Sequence, residues 1–286
     1  MEVAVETIVN VMMLSSIYIL VALGFALVLS IMGVLNFAHG ALYMISGYVC
    51  YQFATQFGIN PWLALVLATV VMSIFGLFLE KFCFRPFFGD INRTIIMSIV
   101  IALVLETTVN ITVGDKVRAI PDFASGMLKA GPVLVSYERL ITLIVGGILL
   151  LFITLFISRT KAGQQMLAVA QDPEGAILQG IRIHRVAALA IVMGCAMAAV
   201  SGSLMGAIFQ LRPFAGNHML VKSIQVVILS GIGSIGGILA GGLIIGTLDA
   251  ILPLFTSGAV SQAVGLGIII VLLLFRPQGL FGREMS

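Results

Sequence analysis

The chain has 286 residues, of which 60% are hydrophobic and 9% are charged, and its mean hydropathy is +1.17. Soluble domains usually carry roughly 25% charged and about 45–50% apolar residues, so this composition argues against a water-soluble enzyme or a disordered scaffold. The formal net charge of +3 is too small and too scattered to form a basic patch for DNA or RNA. We therefore expect a protein whose solvent is the lipid bilayer.

Membrane-spanning helices are predicted from apolar runs of about 20 residues, the length that crosses roughly 30 Å of hydrocarbon. Such runs lie at about 8–34, 41–57, 61–80, 94–113, 140–157, 186–210, 221–255 and 259–275. The run at 221–255 is too long for one helix, and the segment SGIGSIGG at 230–237 predicts a break in it. The sequence predicts an all-α polytopic membrane protein with about eight to nine transmembrane helices, some discontinuous, in a single domain over 1–286.

The first candidate site is the segment GVLNFAHGALYMISGY at 33–48, in which glycines surround Asn36 and His39. An interruption of this kind at membrane depth lets backbone groups and a few polar side chains line a cavity. The helix that begins near Gly40 would direct its N-terminal N–H groups into that cavity, where they could stabilise a carboxylate. A tight cytoplasmic turn between two spans, capped by Asn36 and His39, is an equally good interpretation.

Two acidic residues, Glu106 and Asp249, fall within predicted spans. An ionisable side chain at that depth costs at least ~2.5 kcal/mol unless it faces a partner or water, so each is a functional candidate. The alternative is that both are hydrogen-bonded inside the bundle and have a structural role. We predict no catalytic residue and no metal site, because phosphate-loop and H-E-x-x-H motifs are absent and the cysteines are far apart.

The polar connection at 158–185 predicts a short helical hairpin. Its apolar residues follow a helical spacing, Asp172 is well placed as an N-cap before Pro173, and Gly180 ends the second helix. A hairpin that is amphipathic but too polar to insert would contact a protein partner or the membrane surface. The sequence therefore predicts a coupling loop outside the membrane.

Basic residues predict the orientation of the chain, since they concentrate on the cytoplasmic side of membrane proteins. They cluster in the connection 81–93, in the connection 158–185, and in the tail with Arg276 and Arg283. We expect these three segments, including the 158–185 loop and the C-terminus, to be cytoplasmic.

Five motifs, in order along nearly the whole chain, resemble one family. They are LNFAHG (35–40), FLEKFCFRP (78–86), AVAQDPEGAILQGIRIHRV (168–186), VVILSGIGSIGGILAGGLIIG (226–246) and FRPQGLFGR (275–283). Together they resemble the LivH-type permease subunit of branched-chain amino-acid ABC importers. The resemblance implies a multi-pass protein of the bacterial inner membrane that imports these amino acids by alternating access.

The resemblance also implies partners and site residues. The partners are a second, LivM-like permease, two ABC ATPase subunits and an extracytoplasmic solute-binding protein. ATP and Mg²⁺ would bind to the ATPase subunits, and this chain would hold no cofactor. Residues of the translocation path would be Asn36, Phe37, His39, Gly40, Ser230, Gly231, Gly233 and Gly236. Residues that couple to the ATPase would be Gln171, Asp172, Pro173, Glu174 and Gly180.

Two other functions stay open. Relatives commonly carry an acid directly after the HG pair where this chain has Ala41, so the solute could be urea, a short amide, an aromatic acid or another carboxylate. An ion-coupled secondary carrier that uses Glu106 and Asp249 is a further alternative, against which the lack of other intramembrane charge argues. The sequence does not decide between a homodimeric and a heterodimeric permease pair.

Overall fold

The protein is described by a computed structural model that covers residues 2–114, 116–130, 133–231, 233–276 and 278–281. Ile232 of the predicted break lies outside these residues. So do Pro277 and residues 282–283 of the closing motif, which include Arg283, one of the basic residues that predict the orientation.

The described residues form α-helices and one β-hairpin. The helices are α1 (Glu2–Met32), α2 (Ala38–Tyr51), α3 (Pro61–Leu79), α4 (Ile91–Val113), α5 (Tyr137–Arg159), α6 (Lys161–Gln171), α7 (Pro173–Leu178), α8 (Ile183–Ile208), α9 (Ala215–Ser230), α10 (Ile235–Ile251) and α11 (Gly258–Phe275). The strands β1 (Met127–Ala130) and β2 (Val133–Ser136) pair antiparallel before α5, with Leu128 opposite Val135. Single π-turns extend α2 through Gln52–Gln56 and α3 through Glu80–Phe84.

Seven helices in the described part of the chain are long and apolar enough to cross a membrane. They include α1, α4, α5, α8, α10 and α11, together with α3 and its extension to Phe87. The shorter helices α2 and α9 account for the other predicted apolar runs, so the predicted all-α polytopic fold is confirmed. The long run at 221–255 is divided as predicted, because α9 ends at Ser230 and α10 begins at Ile235.

The core of the bundle forms around α1, which packs against α8, α10, α5 and α9. The helices α3, α4, α5 and α11 lie outside and expose large apolar side chains such as Ile74, Leu151 and Leu274. Exposed apolar surface of this extent is costly in water and favourable in lipid, so these helices form the lipid-facing surface.

The bundle has two distinct ends. The hairpin end carries α6 and α7 and the connection between α9 and α10, where Gly233 lines a small cavity together with Met166 and Leu167 of α6. The loop end carries the connections that follow α4 and α8, which are joined by backbone hydrogen bonds between Arg118 and Leu211. The membrane-level helices connect these ends.

Candidate translocation cavity and coupling hairpin

The predicted residues at 36–40 are packed inside the bundle at the start of α2. The side-chain oxygen of Asn36 accepts a hydrogen bond from the Ala38 backbone N–H at 3.1 Å. His39 is buried, and its Nε2 lies 3.1 Å from the carbonyl oxygen of Val21 in α1. The Phe37 backbone N–H donates to the Ser98 hydroxyl of α4 at 3.1 Å. These contacts pack the segment against α1 and α4, and its role in translocation stays a prediction.

Gly40 has a packing function that depends on its missing side chain. A Cβ at Gly40 would meet the carbonyl oxygen of Gly216 in α9, and a Cβ at Gly216 would meet the carbonyl oxygen of Gly40. Such reciprocal small residues let two helices approach closely in a membrane, where lipid gives no hydrophobic drive for association. Gly40 therefore fixes the crossing of α2 and α9.

The second predicted group lies at the hairpin end, where the chain passes from α9 to α10. Ser230 bonds its own helix, since its hydroxyl donates to the Val226 carbonyl oxygen at 2.5 Å. The closing segment covers this break, because the Leu280 N–H donates to the Leu229 carbonyl at 2.8 Å and the Phe281 N–H donates to the Ser230 carbonyl at 3.1 Å. Gly231 and Gly233 adopt positive φ values of 88°, and Gly236 lies in the first turn of α10.

A cavity of about 570 Å³ lies toward the loop end of the bundle. Its apolar wall includes Leu14, Met44, Met205, Phe209 and Met219, and its polar lining includes Tyr18, Tyr43, Gln210, Arg212, His218, Asp249, Ser261 and Gln262. The eight predicted path residues at 36–40 and 230–236 are not among the described residues that line it, whereas the predicted intramembrane acid Asp249 is.

Asp249 belongs to a hydrogen-bonded ion pair inside the bundle. Lys222 Nζ of α9 lies 2.7 Å from Asp249 Oδ1, and the Tyr18 hydroxyl of α1 donates to Asp249 Oδ2 at 2.7 Å. The side chain of Lys222 is 7% exposed and that of Asp249 is 17% exposed. Burying a charge is costly unless the charge is paired and hydrogen-bonded, and here the two charges and the Tyr18 hydroxyl meet from three helices.

The sequence prediction missed Lys222, and the expectation of no further intramembrane charge was wrong. Lys222 falls inside the apolar run 221–255, so a search of that run for bases as well as acids would have found it. Its partner could not be identified in this way, because Asp249 lies 27 residues further along the chain. Glu106, the other predicted intramembrane acid, is buried in α4 near the Asn217 side chain of α9 and is not among the described residues that line the cavity.

The connection after α8 holds Arg212 at the cavity. Backbone hydrogen bonds of 3.2 and 2.6 Å join Arg118 and Leu211 in both directions. Gln210 has a positive φ of 65°, a left-handed conformation that costs a residue other than glycine about 1–3 kcal/mol. The pairing at Leu211 holds this strained backbone in place, and strain of this kind is concentrated at functional sites.

The hairpin at 158–185 has the structure that the sequence predicts. Thr160 caps α6, since its hydroxyl accepts from the Gly163 N–H at 3.0 Å, and Asp172 caps α7 by accepting from the Gly175 N–H at 3.0 Å. Pro173 occupies the first helical position, and Gly180 ends the hairpin with a φ of 80°. Gln171 and Glu174 are exposed on the same hairpin. The role of these residues in coupling stays a prediction.

The two faces of the hairpin differ in burial. Met166 and Val169 of α6 are buried against the bundle. By contrast, Ile177 is 55% exposed and Leu178 is 86% exposed at the end of α7. An apolar tip held outside the bundle is a surface suited to cover by another protein.

A bundle of membrane-length helices with a mixed polar and apolar cavity near one end and an exposed hairpin at the other defines a polytopic membrane protein of the permease class. The chain belongs to the family described as "Branched-chain amino acid transport system / permease component", whose model matches residues 7–274. The resemblance inferred from the five motifs is therefore confirmed. A permease subunit conducts a solute through the membrane and is not itself an enzyme.

Named relatives cover almost the whole chain. It is 33% identical to the high-affinity branched-chain amino acid transport system permease protein BraD of Pseudomonas aeruginosa, over 97% of this chain and 95% of that protein. It is 32% identical to the high-affinity branched-chain amino acid transport system permease protein LivH of Escherichia coli, over 96% of this chain and 94% of that protein. Among solved structures, PsaBC from Streptococcus pneumoniae in complex with Fab aligns with a TM-score of 0.54 at 13% identity, covering 94% of this chain and 91% of that one. That similarity supports the fold.

Proposed function

We propose that this chain is the transmembrane permease subunit of an ATP-driven, binding-protein-dependent importer of branched-chain amino acids in a bacterial inner membrane. The observation that carries the proposal is the similarity to BraD and LivH over almost the full length of all three chains. Family membership and the membrane-length helices support a multi-pass protein. The basic connections support a cytoplasmic position for the hairpin and the C-terminus.

The cavity supports transport of a small solute. Its volume of about 570 Å³ is within the roughly 300–1,000 Å³ typical of small-molecule sites. Three methionines and Leu14 provide an adaptable apolar wall for branched side chains, and the ionic groups provide contacts for a charged backbone. Since the cavity lies toward the end opposite the hairpin, it would receive solute from an extracytoplasmic binding protein.

The hairpin supports coupling to an ATPase. In this proposal two ABC ATPase subunits, which hold ATP and Mg²⁺, contact the exposed tip at Ile177 and Leu178. Force on the hairpin would reach the cavity through α1, which packs against α6 and also against α9 and α10, the helices that carry Lys222 and Asp249. Alternating access would then follow from movement of these helices, with a second, LivM-like permease forming the other half of the pathway.

An uptake assay tests this function. The chain is expressed with its partner subunits and binding protein in cells that lack their own branched-chain amino acid uptake, and entry of labelled L-leucine is followed. We expect saturable uptake that stops when the nucleotide-binding lysine of the partner ATPase is replaced. Uptake that survives without the ATPase and collapses with the proton gradient would identify a secondary carrier instead. Uptake of urea or an aromatic acid, with no leucine uptake, would identify another solute.

A further inference from the structure

We propose that the cavity binds its solute as a zwitterion, with the Asp249 carboxylate accepting from the α-ammonium group and the Arg212 guanidinium donating to the α-carboxylate. This inference rests on the proposed function and names the groups that would select the solute inside the membrane. Both side chains line the same cavity, Asp249 from α10 and Arg212 from the connection after α8.

Asp249 retains capacity to bind a ligand. An ionised carboxylate has about four acceptor positions, and the described bundle fills one on each oxygen, through Lys222 and Tyr18. The Asp249 side chain lines the cavity, whereas Lys222 is more deeply buried and is not among the lining residues. The remaining acceptor positions are therefore available on the cavity side.

Lys222 also limits how strongly Asp249 can hold an ammonium group. A positive charge 2.7 Å behind the carboxylate reduces the negative potential that the cavity experiences. A transport site must bind its solute well enough to admit it and weakly enough to release it. The ion pair meets this requirement, whereas an isolated aspartate at the same depth would bind a cation more strongly.

Arg212 supplies the complementary charge. A guanidinium is always protonated and can bind a carboxylate through two parallel hydrogen bonds. The strained Gln210 and the Leu211–Arg118 pairing fix the backbone that precedes it, so the start of this side chain is held at the cavity. His218 also lines the cavity and carries fewer donors than the guanidinium.

The two charges and the methionine-rich wall together select one class of solute. A branched amino acid would satisfy both charges and place its side chain against Met44, Met205 and Met219. Urea would leave Arg212 without a charged partner, and a simple carboxylate would leave the acceptor positions of Asp249 that Lys222 and Tyr18 do not fill without a donor. A site with buried polar groups discriminates strongly against a solute that leaves those groups without a partner.

Cysteine protection measures occupancy of the cavity directly. In the complete transporter, Gln262→Cys places a thiol at the cavity lining, and Cys83→Ser removes the described cysteine that is not fully buried. The rate at which a water-soluble maleimide modifies the cysteine at position 262 is measured in the presence of L-leucine or of one of two analogues. The analogue 4-methylpentanoate lacks the ammonium group, and 3-methylbutan-1-amine lacks the carboxylate. We expect half-protection by leucine at a concentration at least about tenfold lower than by either analogue.

Two variants assign the charges separately. The double variant Asp249→Leu/Lys222→Met removes both charges of the ion pair and so leaves the net charge unchanged. We expect its preference for leucine over 4-methylpentanoate to fall about tenfold, and its preference for leucine over 3-methylbutan-1-amine to stay the same. Arg212→Gln should lower the preference for leucine over 3-methylbutan-1-amine and keep the preference for leucine over 4-methylpentanoate. Retention of partner subunits through purification confirms that each variant folds.

The result that overturns the inference is a double variant that still discriminates against 4-methylpentanoate, or a reporter cysteine that leucine does not protect. Either outcome, found in a transporter that imports leucine, would remove the zwitterion site and leave the proposed function standing. Absence of branched-chain amino acid uptake in the unmodified transporter would instead overturn the proposed function.

Discussion

The hairpin and the cavity are held together in different ways. In the hairpin, the helix caps are local: the Thr160 side chain accepts from the Gly163 N–H and the Asp172 side chain from the Gly175 N–H, three residues away in both cases. At the cavity, the Asp249 carboxylate is held by Lys222, 27 residues away, and by Tyr18, 231 residues away.

This difference has a mechanical consequence. The hairpin is an autonomous local unit attached by one buried face, so its exposed face can change without affecting the bundle. The cavity joins α1, α9 and α10, so a change to its ionic groups alters the packing of the bundle itself. The two regions therefore suit different tasks, docking at the hairpin and solute recognition at the cavity.

The largest effect should come from breaking the ion pair at the cavity. We expect Asp249→Leu to destabilise the protein by about 3–5 kcal/mol, because it leaves the Lys222 ammonium buried without its counter-ion. Thermal unfolding of the detergent-solubilised protein measures the loss. The matched control is Asp249→Leu/Lys222→Met, which should recover most of the stability. A double variant no more stable than the single one would mean that the pair is not the source of the effect.

An intermediate effect should come from the cap of α7. We expect Asp172→Ala to cost about 1 kcal/mol, since the Gly175 N–H loses its acceptor, whereas Asp172→Asn keeps an acceptor and should be close to neutral. Hydrogen exchange of the amides at 174–178 reports this locally. If Asp172→Ala lowered the hydrogen-exchange protection of α1 and α10 by the same amount, the hairpin would not be an autonomous local unit.

The smallest effect on stability should come from the exposed tip of the hairpin. Leu178 is 86% exposed, so we expect Leu178→Ser to change the free energy of unfolding by no more than about 0.5 kcal/mol. If the tip docks on an ATPase, the same change should weaken ATPase binding about tenfold through lost apolar contact. The exposed neighbour Gln179, replaced by Ser, is the control. Equal ATPase binding by both variants would place docking elsewhere.

The parts of the structure that could be predicted from sequence are those fixed by neighbouring residues. The Asp172-Pro173 pair and Gly180 specify the ends of α7 through local hydrogen bonding and backbone geometry, and the structure has both ends as predicted. The break between α9 and α10 follows likewise from the glycines at 231 and 233.

The location of the candidate site was harder to predict. The polar and glycine residues at 36–40 interrupt an apolar segment, and the structure gives them tertiary contacts. Gly40 packs against Gly216 where α2 crosses α9, and His39 Nε2 lies 3.1 Å from the Val21 carbonyl oxygen of α1. A sequence pattern shows that a helix is interrupted. It does not distinguish a segment that lines a cavity from one that packs against another helix, since both need small and polar residues.

The sequence by itself determined the lipid environment, the positions of the apolar helices and the form of the hairpin, because these depend on composition, on the length of apolar runs and on contacts within a few residues. Only the tertiary structure decided that Asp249 pairs with Lys222 and Tyr18, and that Asp249 and Arg212 line one cavity. These residues meet because α1, α9, α10 and the connection after α8 pack side by side, and the packing of distant helices is not encoded in any one segment.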